Sequence, residues 1–126
     1  MKLLLDAGAL IAYERNHHRI IARLAQGRMV DDPLRTHAGV VAQVWRGGSG
    51  RQARLSAHLR SLEVRPLDLP LARRTGELLA RSGSVDVIDA ALIAMADEGD
   101  SIMTSDPDDL RRLAEHADRE ITIIAI

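Results

Sequence analysis

The sequence predicts an α/β fold in which helices cover both faces of a parallel sheet. Three observations carry this expectation. Short apolar runs that read as buried strands alternate along the chain with stretches of helical period, and turn-forming Gly, Pro, Asp and Ser residues separate the two. The alternation continues from the first residues to the last.

Taken in order, Lys2–Leu5 is an apolar run that ends at Asp6-Ala7-Gly8, a buried strand followed by a turn. Helical patterns follow over residues 9–14 and 17–26, the second with Ile20, Ile21, Leu24 and Ala25 as its apolar stripe and Gly27 as its stop. Asp31-Asp32-Pro33 makes a turn, and residues 35–37 form a very short strand. A helix over residues 38–46 stops at Gly47-Gly48-Ser49-Gly50, and another covers 51–62. Residues 64–67 are a second clear strand, and 70–81 a helix with proline in its first turn. After Ser82-Gly83-Ser84 comes a helix over 85–96, apolar nearly all round except for Asp86 and Asp89, and therefore buried. Residues 101–104 form a strand, Asp106-Pro107 opens a helix running to about His116, and the β-branched run 121–126 closes the sheet.

At 126 residues, with 46% hydrophobic and 28% charged side chains, the chain supports one compact domain over residues 1–126. No run of eighteen apolar residues occurs, and an acid interrupts the apolar N-terminus, which argues against a membrane span or signal peptide and for a cytoplasmic protein. The absence of cysteine excludes disulfides, thiolate metal sites and a cysteine nucleophile. The net charge of −1 conceals a division. Residues 1–60 carry ten Lys and Arg against four acids, a balance of +6, whereas residues 61–126 carry seven Arg against fourteen acids, a balance of −7. A basic surface beside an acidic pocket suits phosphodiester chemistry, in which arginine grips phosphate and carboxylates hold a cation; a merely segregated soluble surface explains the same numbers.

The acids show where such a pocket would lie. Asp6 and Asp106 directly follow strands, where an open α/β sheet places its ligands. Asp86 and Asp89, three apart at the start of a buried helix, can share one face. Carboxylates gathered this closely repel one another unless a hard cation such as Mg2+ or Mn2+ neutralises them, and such a cation activates water for attack on a phosphodiester. Structural roles compete: Asp106 before Pro107 suits a helix N-cap, and Asp86, Asp89 and Asp109 gain from a helix dipole. Asp89, in an otherwise apolar helix, and Asp6, after an apolar strand, are the costliest to leave without a partner.

The segments LLLDAGALIA, VIDAALIAMA and IMTSDPDDL, in this order and spacing, resemble the PIN-domain family, and within it the VapC-type toxins of VapBC toxin–antitoxin pairs. The resemblance covers nearly the whole chain. It implies a PIN-like three-layer α/β/α sandwich with a mainly parallel sheet of four to five strands, Mg2+- or Mn2+-dependent endoribonuclease activity on tRNA or ribosomal RNA, an inhibitory VapB-type antitoxin, and a homodimer. Carried over, it assigns metal binding and catalysis to Asp6, Asp89 and Asp106, with Asp86 and Asp109 as support. Two positions depart from the pattern. VVAQVWR places Gln43 where the family has a glutamate, and Gly8 stands where a serine or threonine hydroxyl commonly supports the site. Gln43 remains a candidate catalytic residue, since its carbonyl oxygen can accept from a metal-bound water or act as a neutral ligand, but it attracts a cation less strongly than glutamate and cannot act as a base. A second reading therefore stands beside the nuclease: a catalytically inactive PIN-fold module that engages antitoxin or RNA.

Arg15, Arg46 and Arg51 are the candidate RNA contacts, within a basic set that includes Arg19, Arg23 and Arg54. Tyr13 and Trp45 are the only Tyr, Trp or Phe residues, so base stacking should contribute little. The histidines lack paired ligand spacing, which argues against zinc. A response-regulator receiver needs a late lysine, whereas the only lysine is Lys2; a haloacid-dehalogenase-like phosphatase needs an aspartate where Gly8 stands.

Overall fold

The computed structural model describes residues 2–16, 18, 20–22, 25, 34–48, 50 and 52–126. Five parallel strands form one sheet: β1 (Leu3–Leu5), β2 (Arg35–His37), β3 (Glu63–Arg65), β4 (Ser101–Thr104) and β5 (Thr122–Ala125), in the order β3-β2-β1-β4-β5. The chain builds outward from β1 through β2 to β3, then crosses to the other side of β1 for β4 and β5. The direction of winding thus reverses between β1 and β4, and a crevice opens at their carboxyl ends. Leu4 and Leu5 of β1 and all four residues of β4 are buried, as central strands covered on both faces must be. At one edge the Arg35 guanidinium bridges to Glu63 at 2.9 Å across β2 and β3.

Between the strands run α1 (Ala7–Glu14), α2 (Ala38–Val44), α3 (Ala53–Ser61), α4 (Leu69–Ser82), α5 (Val87–Met95) and α6 (Pro107–Glu115). Residues 18, 20–22 and 25 also have helical backbone, in line with the helix expected over 17–26; the rest of that segment, Gly27 and the Asp31-Asp32-Pro33 turn lie outside the described residues. Helix α4 shows how locally its limits are set. Asp68 accepts from the Leu71 N–H at 3.0 Å, Pro70 occupies the first turn, Leu71, Thr75 and Leu78 make the buried stripe, and Gly83 ends it at φ 71°, a left-handed conformation suited to glycine. In α5, every residue from Ala90 to Met95 is buried. Its carboxyl end is capped from a distance: the Arg119 guanidinium donates to the carbonyls of Ile93, Ala94 and Ala96 at 2.9, 2.9 and 2.6 Å.

Several limits differ from expectation: α1 begins two residues early, at Ala7, and β3 spans Glu63–Arg65 rather than 64–67. The helix expected over 85–96 begins at Val87, because Asp86 stands outside it as the N-cap and Val85 is 92% exposed. The helix expected to reach Arg46 stops at Val44, where Gln52 wraps the end: its side-chain amide donates to the Val44 carbonyl at 2.7 Å, and its oxygen accepts from the Arg46 and Gly47 N–H groups.

His37 joins the two sides of the crevice. Its buried ring accepts from the Gly39 N–H at Nδ1, capping α2, and donates from Nε2 to the Ile88 carbonyl in α5, both at 3.0 Å. These bonds require the neutral ring, and burial lowers its pKa below 6.5. The unfolded chain therefore takes up the proton first, so this contribution is complete above about pH 6.5 and declines as pH falls below it. His37→Ala should cost about 2 kcal/mol in urea unfolding at pH 7.5. His37→Asn, which keeps a capping oxygen, should recover part of that loss and flatten the acid-side decline. A pH profile identical to wild type would contradict this role.

Candidate active site

Asp6 is the last residue before α1 and the first after β1. Its backbone N–H donates to the Met103 carbonyl at 3.3 Å, tying the ends of β1 and β4 together. Its carboxylate caps α1, accepting from the Ala9 N–H at 2.8 Å, a role the sequence had suggested for other acids. Burial raises the Asp6 pKa, and the negative charge of Asp106 raises it further. Hydrogen bonds from the Thr104 hydroxyl and the Ala9 and Gly8 N–H groups act in the opposite direction.

Asp106 sits at the N-cap position of α6, yet its side chain makes no capping bond. The local turn is held instead by its backbone N–H, which donates to Thr104 Oγ1 at 2.9 Å. The competing explanation of Asp106 as a capping residue is therefore not the one the structure adopts: its carboxylate is exposed and carries no cap. Thr104, fully buried, contacts both acids, donating to Asp6 and accepting from Asp106. Sequence reasoning missed it, although a hydroxyl two residues before an aspartate is a recognisable turn signal.

Asp89 lies in the first turn of α5, partly buried, with its backbone N–H held by the Asp86 carboxylate at 3.0 Å. Its pKa is pushed up to about 7, first by burial and then by the negative charges of Asp86, Asp6 and Asp109. The five predicted acids thus share one electrostatic field, with Asp6 linking Asp106 on one side to Asp89 on the other. They do not form a ready-made ligand cage: among the described residues no three acidic or histidine side chains converge closely enough to hold an ion. The reason is local, since Asp6 and Asp86 each direct an oxygen at a helix N–H and Asp109 is paired with Arg112.

Beside the acids lies a cavity of about 410 Å³ whose walls include Asp86, Asp89, Asp109, Arg112, Ser84 and Leu113. Arg112, not singled out in the sequence, lines this cavity and pairs with Asp109. The three arginines that were singled out stand elsewhere or are otherwise engaged. Arg15 is exposed at the end of α1, beside Arg54 in a separate cavity. Arg46 folds back on its own helix end, donating to the Ala42 and Trp45 carbonyls at 3.1 and 2.8 Å. Arg51, like Arg19 and Arg23, lies outside the described residues. Gln43 is exposed on α2, and no hydrogen bond joins it to an acid of the group among the described residues.

The family model for the PIN domain matches residues 3–116 of the chain. The chain belongs to the PIN-domain family. Two solved structures share its fold. A chain of VapBC2 from Rickettsia felis, bound to a DNA fragment from their promoter, superposes with a TM-score of 0.73 at 15% identity, covering 98% of each chain. A chain of FitAB bound to the IR36 DNA fragment gives 0.64 at 18% identity, covering 96% of this PIN domain and 94% of the other chain. No curated protein matches the sequence. Among the described residues of this PIN domain, no helix is long and apolar enough to cross a membrane.

Proposed function

We propose that this PIN domain is a Mg2+- or Mn2+-dependent endoribonuclease and the toxin of a toxin–antitoxin pair. In this reading Asp6, Asp89 and Asp106 hold the cation, with Asp86 and Asp109 in support. The observation that carries it is the coupling of these carboxylates at the β1–β4 crevice, with Asp89 raised to about 7. Carboxylates that raise one another's pKa in this way are short of positive charge, and an all-oxygen donor set matches a hard divalent cation. The uncapped Asp106 side chain is free to turn inward, so binding includes side-chain rotation.

Bound there, the cation supplies charge neutralisation at the scissile phosphate and an activated water. The chain's own residues do the rest. Thr104 fixes Asp6 relative to Asp106, and the α1 cap fixes Asp6 relative to the sheet. Asp89, raised to about 7 in the metal-free protein, gives up its proton to become a ligand when the cation binds. The adjoining cavity accommodates the RNA strand, with Arg112 facing phosphate; Arg15 and Arg51 are proposed contacts elsewhere along the RNA, and Arg46 joins them only on leaving the Ala42 and Trp45 carbonyls.

The two solved neighbours are described as VapBC2 and FitAB, each bound to DNA, and the first carries the name of the toxin–antitoxin pairs that the sequence resembles, which supports an antitoxin as partner; a homodimer is part of the same proposal. An open groove lined by Val41, Trp45, Ser56, Leu59 and Arg60, with Trp45 41% exposed, offers apolar surface for that partner. One observation favours the second reading, an inactive binding module: the neutral Gln43 where the family pattern has an acid.

The cation reading is tested by thermal unfolding. Mn2+ at millimolar concentration should raise the Tm by several degrees, because it binds only the folded carboxylates; no shift up to 10 mM, roughly the top of the useful range, would contradict it. Gln43→Glu should tighten Mn2+ binding several-fold by calorimetry, and an unchanged affinity would place that side chain away from the cation.

A further inference from the structure

Gly8 occupies the first turn of α1, where glycine is a poor helix former, and its backbone is not in the left-handed region that would require it. The reason for glycine is steric. A β-carbon built on Gly8 would lie 1.9 Å from Ser105 Oγ and 2.8 Å from Ser105 Cβ. Rotating the hydroxyl away would not relieve the second contact, so any side chain at position 8 displaces Ser105 itself. The Ser105 hydroxyl therefore sits in the space a position-8 side chain would fill, directly beside the turn whose Gly8 N–H supports the Asp6 carboxylate. Ser105 also stands between Thr104 and Asp106, the two residues that link β4 to Asp6. It is exposed at the mouth of the crevice, and no hydrogen bond within the chain engages its hydroxyl among the described residues.

We propose that Ser105 is a positioning residue of the cation site: its hydroxyl, seated over Gly8 beside the Asp6 cap, orients water held at the carboxylates, and Gly8 is glycine to admit it. This rests on the cation reading above. The chain thus delivers from the end of β4 a hydroxyl that could equally have been delivered from the start of α1, and the two positions exclude each other. Groups that orient water and ligands around a metal act on affinity without touching the ion, so removing one weakens binding while leaving the fold intact.

The experiment is calorimetric titration of the full chain with MnCl2, paired with the metal-free Tm, for wild type, Ser105→Ala, Gly8→Ser and Gly8→Ser/Ser105→Gly. Ser105→Ala should keep the metal-free Tm and weaken Mn2+ binding about tenfold. Gly8→Ser should lower the metal-free Tm or fail to fold, through overlap with Ser105. The double variant should recover both the folded state and most of the Mn2+ affinity, since the hydroxyl returns to the same space from the other side. Wild-type affinity in Ser105→Ala, a large fall in its metal-free Tm, or a double variant no better than Gly8→Ser would each overturn the proposal while leaving the cation reading in place. Failure of wild type to bind Mn2+ would overturn both.

Discussion

Asp89→Asn is expected to raise the stability of the metal-free protein while removing its response to Mn2+. The sign follows from the raised pKa. Between the unfolded value of 3.8 and the folded value of about 7, the native state holds the proton more tightly than the unfolded chain. Stability therefore falls as pH rises through that interval, and the full penalty is present above pH 7. Asparagine carries no charge at any of these pH values and removes the penalty. A rise from 3.8 to about 7 corresponds to about 4 kcal/mol, and partial exposure to water reduces this to about 2 kcal/mol. Loss of a favourable charge at the start of α5 takes back a few tenths of that. The metal-free Tm at pH 8 should thus rise by roughly 5 °C, and the advantage should shrink toward zero near pH 4. A variant less stable than wild type at pH 8 would show that Asp89 is satisfied in the free protein.

Asp6→Asn has the larger effect on chemistry. Asparagine is as good an N-cap as aspartate, so the bond from the Ala9 N–H and the start of α1 should survive, and the metal-free Tm should stay within a few degrees of wild type. What is lost is the buried charge at the centre of the group, between Asp106 and Asp89. RNA cleavage should fall by at least about a hundredfold, as expected when a first-contact group for charge stabilisation is removed. Cleavage at near wild-type rate in a folded Asp6→Asn protein would remove Asp6 from the site.

The contrast between these two acids shows how far the sequence could be read. Asp89 announces itself because no neighbour in its own helix can compensate a charge, and its raised pKa is the expected consequence. Asp6 and Asp106 were placed by the strands before them, since apolar runs such as Leu3–Leu5 mark strands and acids at strand ends collect at the crevice. The parallel α/β architecture followed from the same alternation. Their cap assignments came out reversed, however. The cap at Asp6 depends on α1 starting at Ala7, which the glycine at position 8 disguised, while Asp106 loses its cap because Thr104 holds the turn through the backbone instead. Longer-range relations left less trace. Nothing local in the sequence links His37 to Ile88, Arg119 to the end of α5, or Ser105 to Gly8, because each depends on elements brought together only by the sheet order. The group also remains more dispersed than its spacing suggested, since helix caps and Arg112 engage oxygens that the sequence offered to a cation.

The most direct measurement is cleavage of total RNA by the purified chain, wild type and Asp6→Asn in parallel, with Mn2+ and with EDTA. The nuclease reading predicts discrete fragments from wild type in Mn2+ and intact RNA in the other three reactions. Intact RNA from wild type in Mn2+, or fragments that persist in EDTA, would contradict it.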